Sequence, residues 1–228
     1  MATENLKEQE QQREERVEQH VSAVSDFFEK NGKWVWGSLA AVILVGLVVL
    51  AWHHFYVQPR KAEAQAQMFP AEANFRNGEY ELALKGDGNT LGFEQVIDEY
   101  GSRAGKAAYY YAGVCALNLG NYEDAISYLG KYSGKEPIMA ARALGSMGDA
   151  YCGLEQYDKA VTCYENAAAK DDNVYAASYL LKAGIVSEEL GNKDKALSFY
   201  KEIKDQYPQS YERTEIDKYI SRIENAAE

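Results

Sequence analysis

Histidine, cysteine and proline are scarce in this chain, which has three histidines, three cysteines and four prolines in 228 residues. No histidine lies beyond His54, so the long C-terminal part has no imidazole for a catalytic triad or a metal site. The cysteines, Cys115, Cys152 and Cys163, form no Cys-x-x-Cys pair, which argues against a zinc site and a disulfide framework. We therefore expect no enzyme, no cofactor and no metal, although carboxylate or lysine catalysis stays open in principle.

Positive charge is also in short supply. Lysine and arginine number 24 against 35 aspartates and glutamates, a net charge of −11. A chain this acidic repels phosphate backbones, and no basic stripe compensates, so we expect no nucleic-acid partner. No glycine-rich phosphate-binding loop is present either.

One long uncharged run interrupts the polar sequence. Residues 34–52 read WVWGSLAAVILVGLVVLAW, 19 residues without a charge. As a helix they would span roughly 28 Å, close to the hydrocarbon thickness of a bilayer. Tryptophans at both ends favour the headgroup layer. A cleaved signal peptide is the alternative, but the run is too long and follows 33 mostly polar residues. The sequence predicts one retained transmembrane helix.

Residues 1–33 are predicted to be a polar tail ending in a juxtamembrane helix. A Glu/Gln/Arg-rich run at residues 8–18 is followed by apolar residues at helical spacing, from Val17 to Phe28. Basic residues flank the apolar run almost evenly. Lys30 and Lys33 lie closer to its edge than Arg60, which favours a cytoplasmic N-terminus.

Three later segments repeat one pattern of small residues. In each, a glycine precedes an alanine by 12 residues: Gly113 and Ala125, Gly148 and Ala160, Gly184 and Ala196. The alanines are 35 and 36 residues apart. Small residues at facing positions let two helices cross closely. The pattern resembles the tetratricopeptide repeat, a helix pair with a period of about 34 residues.

This resemblance implies an all-α protein in which one transmembrane helix (34–52) precedes a helical solenoid of tetratricopeptide repeats (53–228). We expect repeats at about 106–140, 141–175 and 177–210. A degenerate repeat at about 61–105 would precede them, with an irregular insertion at 86–92. A capping helix at 211–224 would close the solenoid with a polar outer face.

Repeat solenoids bind ligands on the concave surface formed by the first helix of each repeat. The family's groove positions fall on these residues of this chain: Tyr110, Val114, Leu117, Arg142, Asp149, Leu181, Ile185 and Glu188, with Ala107, Gly145, Cys152 and Ser178 beside them. The lysine and asparagine set with which relatives hold a peptide's C-terminal carboxylate is missing.

The groove is apolar at both ends and mixed in the middle, which favours contact with unfolded or extended chain segments. Residues 59–228 carry 19 basic and 27 acidic side chains, a net charge of −8. This charge predicts a preference for basic or neutral segments. The alternative is that the groove tyrosines only pack between helices.

The segment before the apolar run narrows the family further. Phe27-Phe28-Glu29-Lys30-Asn31-Gly32-Lys33, followed by an anchor and then repeats, resembles the bacterial ancillary Sec-translocon subunit family. The resemblance implies an inner-membrane protein with a cytoplasmic N-terminus and a periplasmic repeat domain. It also implies association with the Sec translocon and with a membrane-anchored peptidyl-prolyl isomerase chaperone, assisting secreted or envelope proteins as they emerge. The competing hypothesis is a structural scaffold that organises an envelope complex without touching emerging chains.

Overall fold

The structure is a computed structural model that describes residue 22 and residues 29–170 and 175–225. The chain divides into two compact units, Met1–Gln58 and Pro59–Glu228. Helices and no strands occur in these described ranges, which confirms the all-α class. The predicted juxtamembrane helix from Val17 to Phe28 falls almost entirely outside them.

The first unit contains helix α1, residues 29–52, and a π-helical turn, His53–Val57. In the described part of the chain, one helical stretch is long and apolar enough to cross a membrane. Its most apolar 18-residue window has a mean hydropathy of 2.4, and none of that window is buried. The aliphatic side chains from Leu39 to Leu50 are therefore exposed, as lipid-facing side chains would be.

The second unit is built from short helices joined by tight turns. Their bounds are α2 Gln58–Arg76, α3 Tyr80–Lys85, α4 Phe93–Tyr100, α5 Lys106–Asn118, α6 Tyr122–Lys131, α7 Pro137–Gly153, α8 Tyr157–Ala168, α9 Ala176–Glu189, α10 Lys193–Gln206 and α11 Ile216–Asn225. Consecutive helices pack in pairs, α5 with α6, α7 with α8 and α9 with α10.

A glycine on the first helix of each pair faces a large side chain from the second. A Cβ atom at Gly113 would lie 2.5 Å from Leu129, and one at Gly148 would lie 2.5 Å from the Tyr164 ring. A Cβ atom at Gly184 would likewise overlap the Tyr200 ring. The absence of a side chain at these positions is therefore what lets each pair close.

The alanines of the repeated pattern lie on the second helices. Ala125, Ala160 and Ala196 are each 0% exposed. These small, fully buried residues therefore lie where close helix packing favours them.

Two hydrophobic cores run through the second unit. The N-terminal core extends from α2 to α7, and the C-terminal core extends from α7 to α11. Helix α7 belongs to both, since Ala143 and Ala150 lie in the first and Ala141 lies in the second.

The insertion at residues 86–92 forms a hydrogen-bonded turn. One carboxylate oxygen of Asp87 accepts hydrogen bonds from the backbone N–H of Asn89 (2.9 Å) and of Thr90 (2.7 Å). These bonds, that from Thr90 foremost, lower the pKa of Asp87 below its usual value. Gly86 has a φ of +73°, which a residue with a side chain would rarely adopt. The turn separates α3 from α4 and accounts for the irregular spacing of this segment.

The glycine contact leads to a stability prediction. Gly148→Leu should lower the free energy of unfolding by about 1–3 kcal/mol, because the new side chain must displace the Tyr164 ring. The matched control is Gly130→Leu on α6, where a Cβ would meet nothing within 4 Å. Urea unfolding followed by circular dichroism measures both, and equal losses would contradict the proposed packing role.

Candidate functional site

A cavity of about 560 Å³ opens on one side of helices α5, α7 and α9. Its size falls within the range of ligand pockets. We call it the central trough, and it is lined by Phe75, Tyr110, Tyr111, Met139, Arg142, Gly145, Ser146, Asp149, Tyr175, Ser178, Tyr179 and Lys182. Aromatic rings and a few charged groups therefore converge across three successive first helices.

Three of the eight predicted groove residues line this trough. They are Tyr110 on α5 and Arg142 and Asp149 on α7. Gly145 and Ser178, which the groove mapping also selected, line it with them.

The other five lie outside the trough lining. Val114 and Leu117 are half-buried against the N-terminal core, and Leu181 is half-buried against the C-terminal core. Ile185 is 38% exposed. Glu188 is half-buried and already engaged by other side chains.

Asp149 is the centre of a polar network at the floor of the trough. Lys182 on α9 donates to both carboxylate oxygens, at 2.7 and 3.0 Å. The Tyr164 hydroxyl on α8 donates to the same carboxylate at 2.7 Å. Burial, and then the charge of Asp149, raises the pKa of Tyr164 far above its usual value, so this phenol stays neutral. The network joins α7, α8 and α9.

A second tyrosine–carboxylate pair repeats this arrangement one repeat later. The Tyr200 hydroxyl on α10 donates to Glu188 on α9 at 2.7 Å. Arg222 on α11 contacts the same carboxylate oxygen at 2.5 Å. The carboxylate of Glu188 is thus held in place by the last helix.

Arg142 lies on the rim of the trough with its side chain exposed. Its guanidinium lies 5.4 Å from the centre of the Tyr175 ring, within cation–π range. Burial raises the pKa of Tyr179 to about 12, and the positive charge of Arg142 opposes part of that rise. Among the described residues, Arg142 has no ion pair within 4.0 Å.

The groove mapping missed Tyr179 and Lys182, both on α9. It took one residue per helical turn and passed from Ser178 to Leu181. Ser178 and Lys182 are four residues apart and share one face, which was the available signal. The Tyr179 ring can line the trough because Gly145 on α7 has no side chain. A Cβ atom at Gly145 would overlap the ring.

The cysteines take no part in a disulfide. Cys115 and Cys163 are buried, whereas Cys152 is half-buried. The Cys152 sulfur lies 3.5 Å from the Tyr164 hydroxyl oxygen. Burial raises the pKa of all three thiols, that of Cys115 to about 12. Each is therefore protonated and unreactive at neutral pH.

Comparison with known proteins identifies the repeat. A family model described as tetratricopeptide repeat matches residues 93–133 and 146–211. These two segments therefore resemble tetratricopeptide repeats, helix pairs that stack into solenoids. No curated protein matches the sequence.

Two solved structures resemble the fold. One is described as the crystal structure of MamA and has a TM-score of 0.50 at 20% identity, covering 68% of this chain and 92% of that one. The other, described as the crystal structure of MamA protein, has a TM-score of 0.54 at 21% identity, covering 70% of this chain and 89% of that one. At this level of identity, the similarity concerns the fold alone.

The Asp149 network allows a prediction on stability. Lys182→Met should cost no more than about 1 kcal/mol, because the side chains of the ion pair are 43% and 36% exposed. Asp149→Ala should cost about 1–3 kcal/mol, because it leaves the buried Tyr164 hydroxyl without its acceptor. Tyr164→Phe serves as the partner variant. Urea unfolding of the single and double variants measures the coupling, and additive losses at Asp149 and Tyr164 would show that the hydrogen bond contributes nothing.

Proposed function

We propose that this protein is a single-pass inner-membrane protein whose repeat domain assists secreted or envelope proteins as they emerge from the Sec translocon. The N-terminus would face the cytoplasm and the repeat domain the periplasm. The observation that carries the proposal is the central trough, an open binding surface on a chain that also has a membrane-length apolar helix.

The anchor supports a function close to the membrane. A domain tethered next to a translocation site meets each emerging segment at a high effective concentration, so weak contacts suffice. The resemblance of residues 27–33 to the ancillary translocon family supports the same location. It further supports contact with a membrane-anchored peptidyl-prolyl isomerase chaperone.

The trough supports binding of extended segments by protein–protein contact. The Tyr110 and Tyr175 rings offer apolar faces with polar edges, which accept many different side chains. Their surface is partly covered by their neighbours, so an incoming side chain gains less than the full 1.5–3 kcal/mol of complete burial. Binding of this strength releases its substrate readily.

The second candidate is a structural scaffold that organises an envelope complex without contact with emerging chains. The partial burial of Val114, Leu117 and Leu181 against the hydrophobic cores favours this candidate. These side chains leave less free apolar surface for a mobile substrate than an empty groove would.

Topology is the first point to test. Protease added to spheroplasts should digest the repeat domain and leave a protected fragment that contains the N-terminal tail. An epitope at each end identifies the fragments. Full protection of the repeat domain, with digestion only after the membrane is dissolved, would reverse the orientation.

Site-specific crosslinking separates the two candidates. A photoreactive residue in place of Ser178, which lines the trough, should trap emerging chains during secretion. The matched control is Ser198, which is exposed on α10 outside the trough lining. Adducts at Ser178 alone support the assistance function. Adducts only with a few constant partners, found also by copurification in mild detergent, would favour the scaffold.

A further inference from the structure

We propose that the central trough selects extended segments that carry an internal acidic side chain, whose carboxylate binds Arg142. This inference rests on the proposed function, because it assumes that extended chains enter the trough. It names the class of segment that the trough prefers.

Among the described residues that line the trough, one cation has no carboxylate partner. Asp149 and Lys182 form an ion pair and so neutralise each other. Arg142 remains, exposed and without an ion pair among the described residues. The trough therefore has a net charge of +1 at neutral pH, although the domain around it is acidic. A carboxylate is the complementary group.

The surroundings of Arg142 favour binding of a carboxylate group. Its guanidinium carbon lies 5.4 Å from the centre of the Tyr175 ring, so a cation–π contact places it beside an aromatic face. A planar fork can hold both oxygens of a carboxylate at once. Ser146 lies one helical turn further along α7 in the same trough and offers a neutral hydroxyl donor.

The position of Arg142 favours a side-chain carboxylate within a segment over a chain end. Arg142 is on α7, the middle helix, whereas Tyr110 on α5 and Ser178 on α9 line the trough on its two sides. A segment that crosses all three helices thus continues past Arg142 in both directions. The guanidinium of Arg142 can bind one carboxylate, and an aspartate or glutamate side chain within the segment provides it.

Local contact outweighs the net charge of the domain. Charges more than about 8 Å away are largely screened at physiological ionic strength, whereas a contact at hydrogen-bond distance is screened much less. The net charge of −8 over residues 59–228 therefore slows the approach of acidic segments more than it opposes their binding at Arg142.

The test uses the full chain in detergent micelles and a pair of short fluorescent peptides with blocked ends. The peptides alternate aromatic and small residues and differ only at the centre, which is glutamate in one and glutamine in the other. Fluorescence anisotropy should show that the glutamate peptide binds about two- to fivefold more tightly, because the ion pair forms at an exposed side chain. Arg142→Gln should abolish this difference, and Arg142→Lys should retain a preference for glutamate. Lys193→Gln, an equal charge change at an exposed site on α10, should leave it unchanged.

The possible results separate the inference from the proposed function. Equal binding of both peptides to the wild-type protein would overturn the inference and leave trough binding intact. A loss of preference in the Lys193→Gln control would overturn it too, because general charge would then be the cause. Binding of neither peptide would overturn both proposals. A third peptide has glutamine at the centre and a free C-terminal carboxylate. If it binds more tightly than the blocked glutamate peptide, the assignment to an internal side chain is overturned. Circular dichroism establishes that Arg142→Gln keeps the wild-type helicity.

Discussion

The contact between a glycine on one helix and a large side chain on the next determines how this solenoid is assembled. Gly148 meets Tyr164 and Gly184 meets Tyr200, in both cases without room for a Cβ atom. The contact fixes the rotation of each first helix about its own axis, because only one face can accept the ring. The remaining faces of α5, α7 and α9 are oriented by the same contact, and residues on them, among them Tyr110, Arg142 and Lys182, line the central trough.

The same tyrosines link the packing to the polar surface. Each ring fills the space over a glycine, and its hydroxyl reaches a carboxylate on the first helix, Asp149 for Tyr164 and Glu188 for Tyr200. A phenylalanine would fill the same space but would leave the carboxylate without this donor. In the α7–α8 and α9–α10 pairs, one tyrosine thus sets both the helix packing and the position of a carboxylate on the first helix.

The spacing of small residues predicted the fold, because glycine and alanine at helix crossings leave a periodic trace in the sequence. It predicted the site only in part. Tyr110, Arg142 and Asp149 were placed from the repeat pattern, whereas Lys182 and Tyr179 were not, since their role depends on the neighbouring helix. The space that Tyr179 occupies exists because Gly145 lies on α7. Contacts between repeats of different sequence have no period, so no repeat pattern can reveal them.

Two of the three charged residues that line the trough, Arg142 and Asp149, lie on α7, the helix that both hydrophobic cores share. Helix α7 contributes Ala143 and Ala150 to one core and Ala141 to the other, so both halves of the solenoid hold it. Arg142, whose guanidinium no described carboxylate holds, gains its placement from this doubly anchored backbone and from the Tyr175 ring. Because no ion pair within the described residues holds this guanidinium, a carboxylate that reached it would have no ion pair to displace.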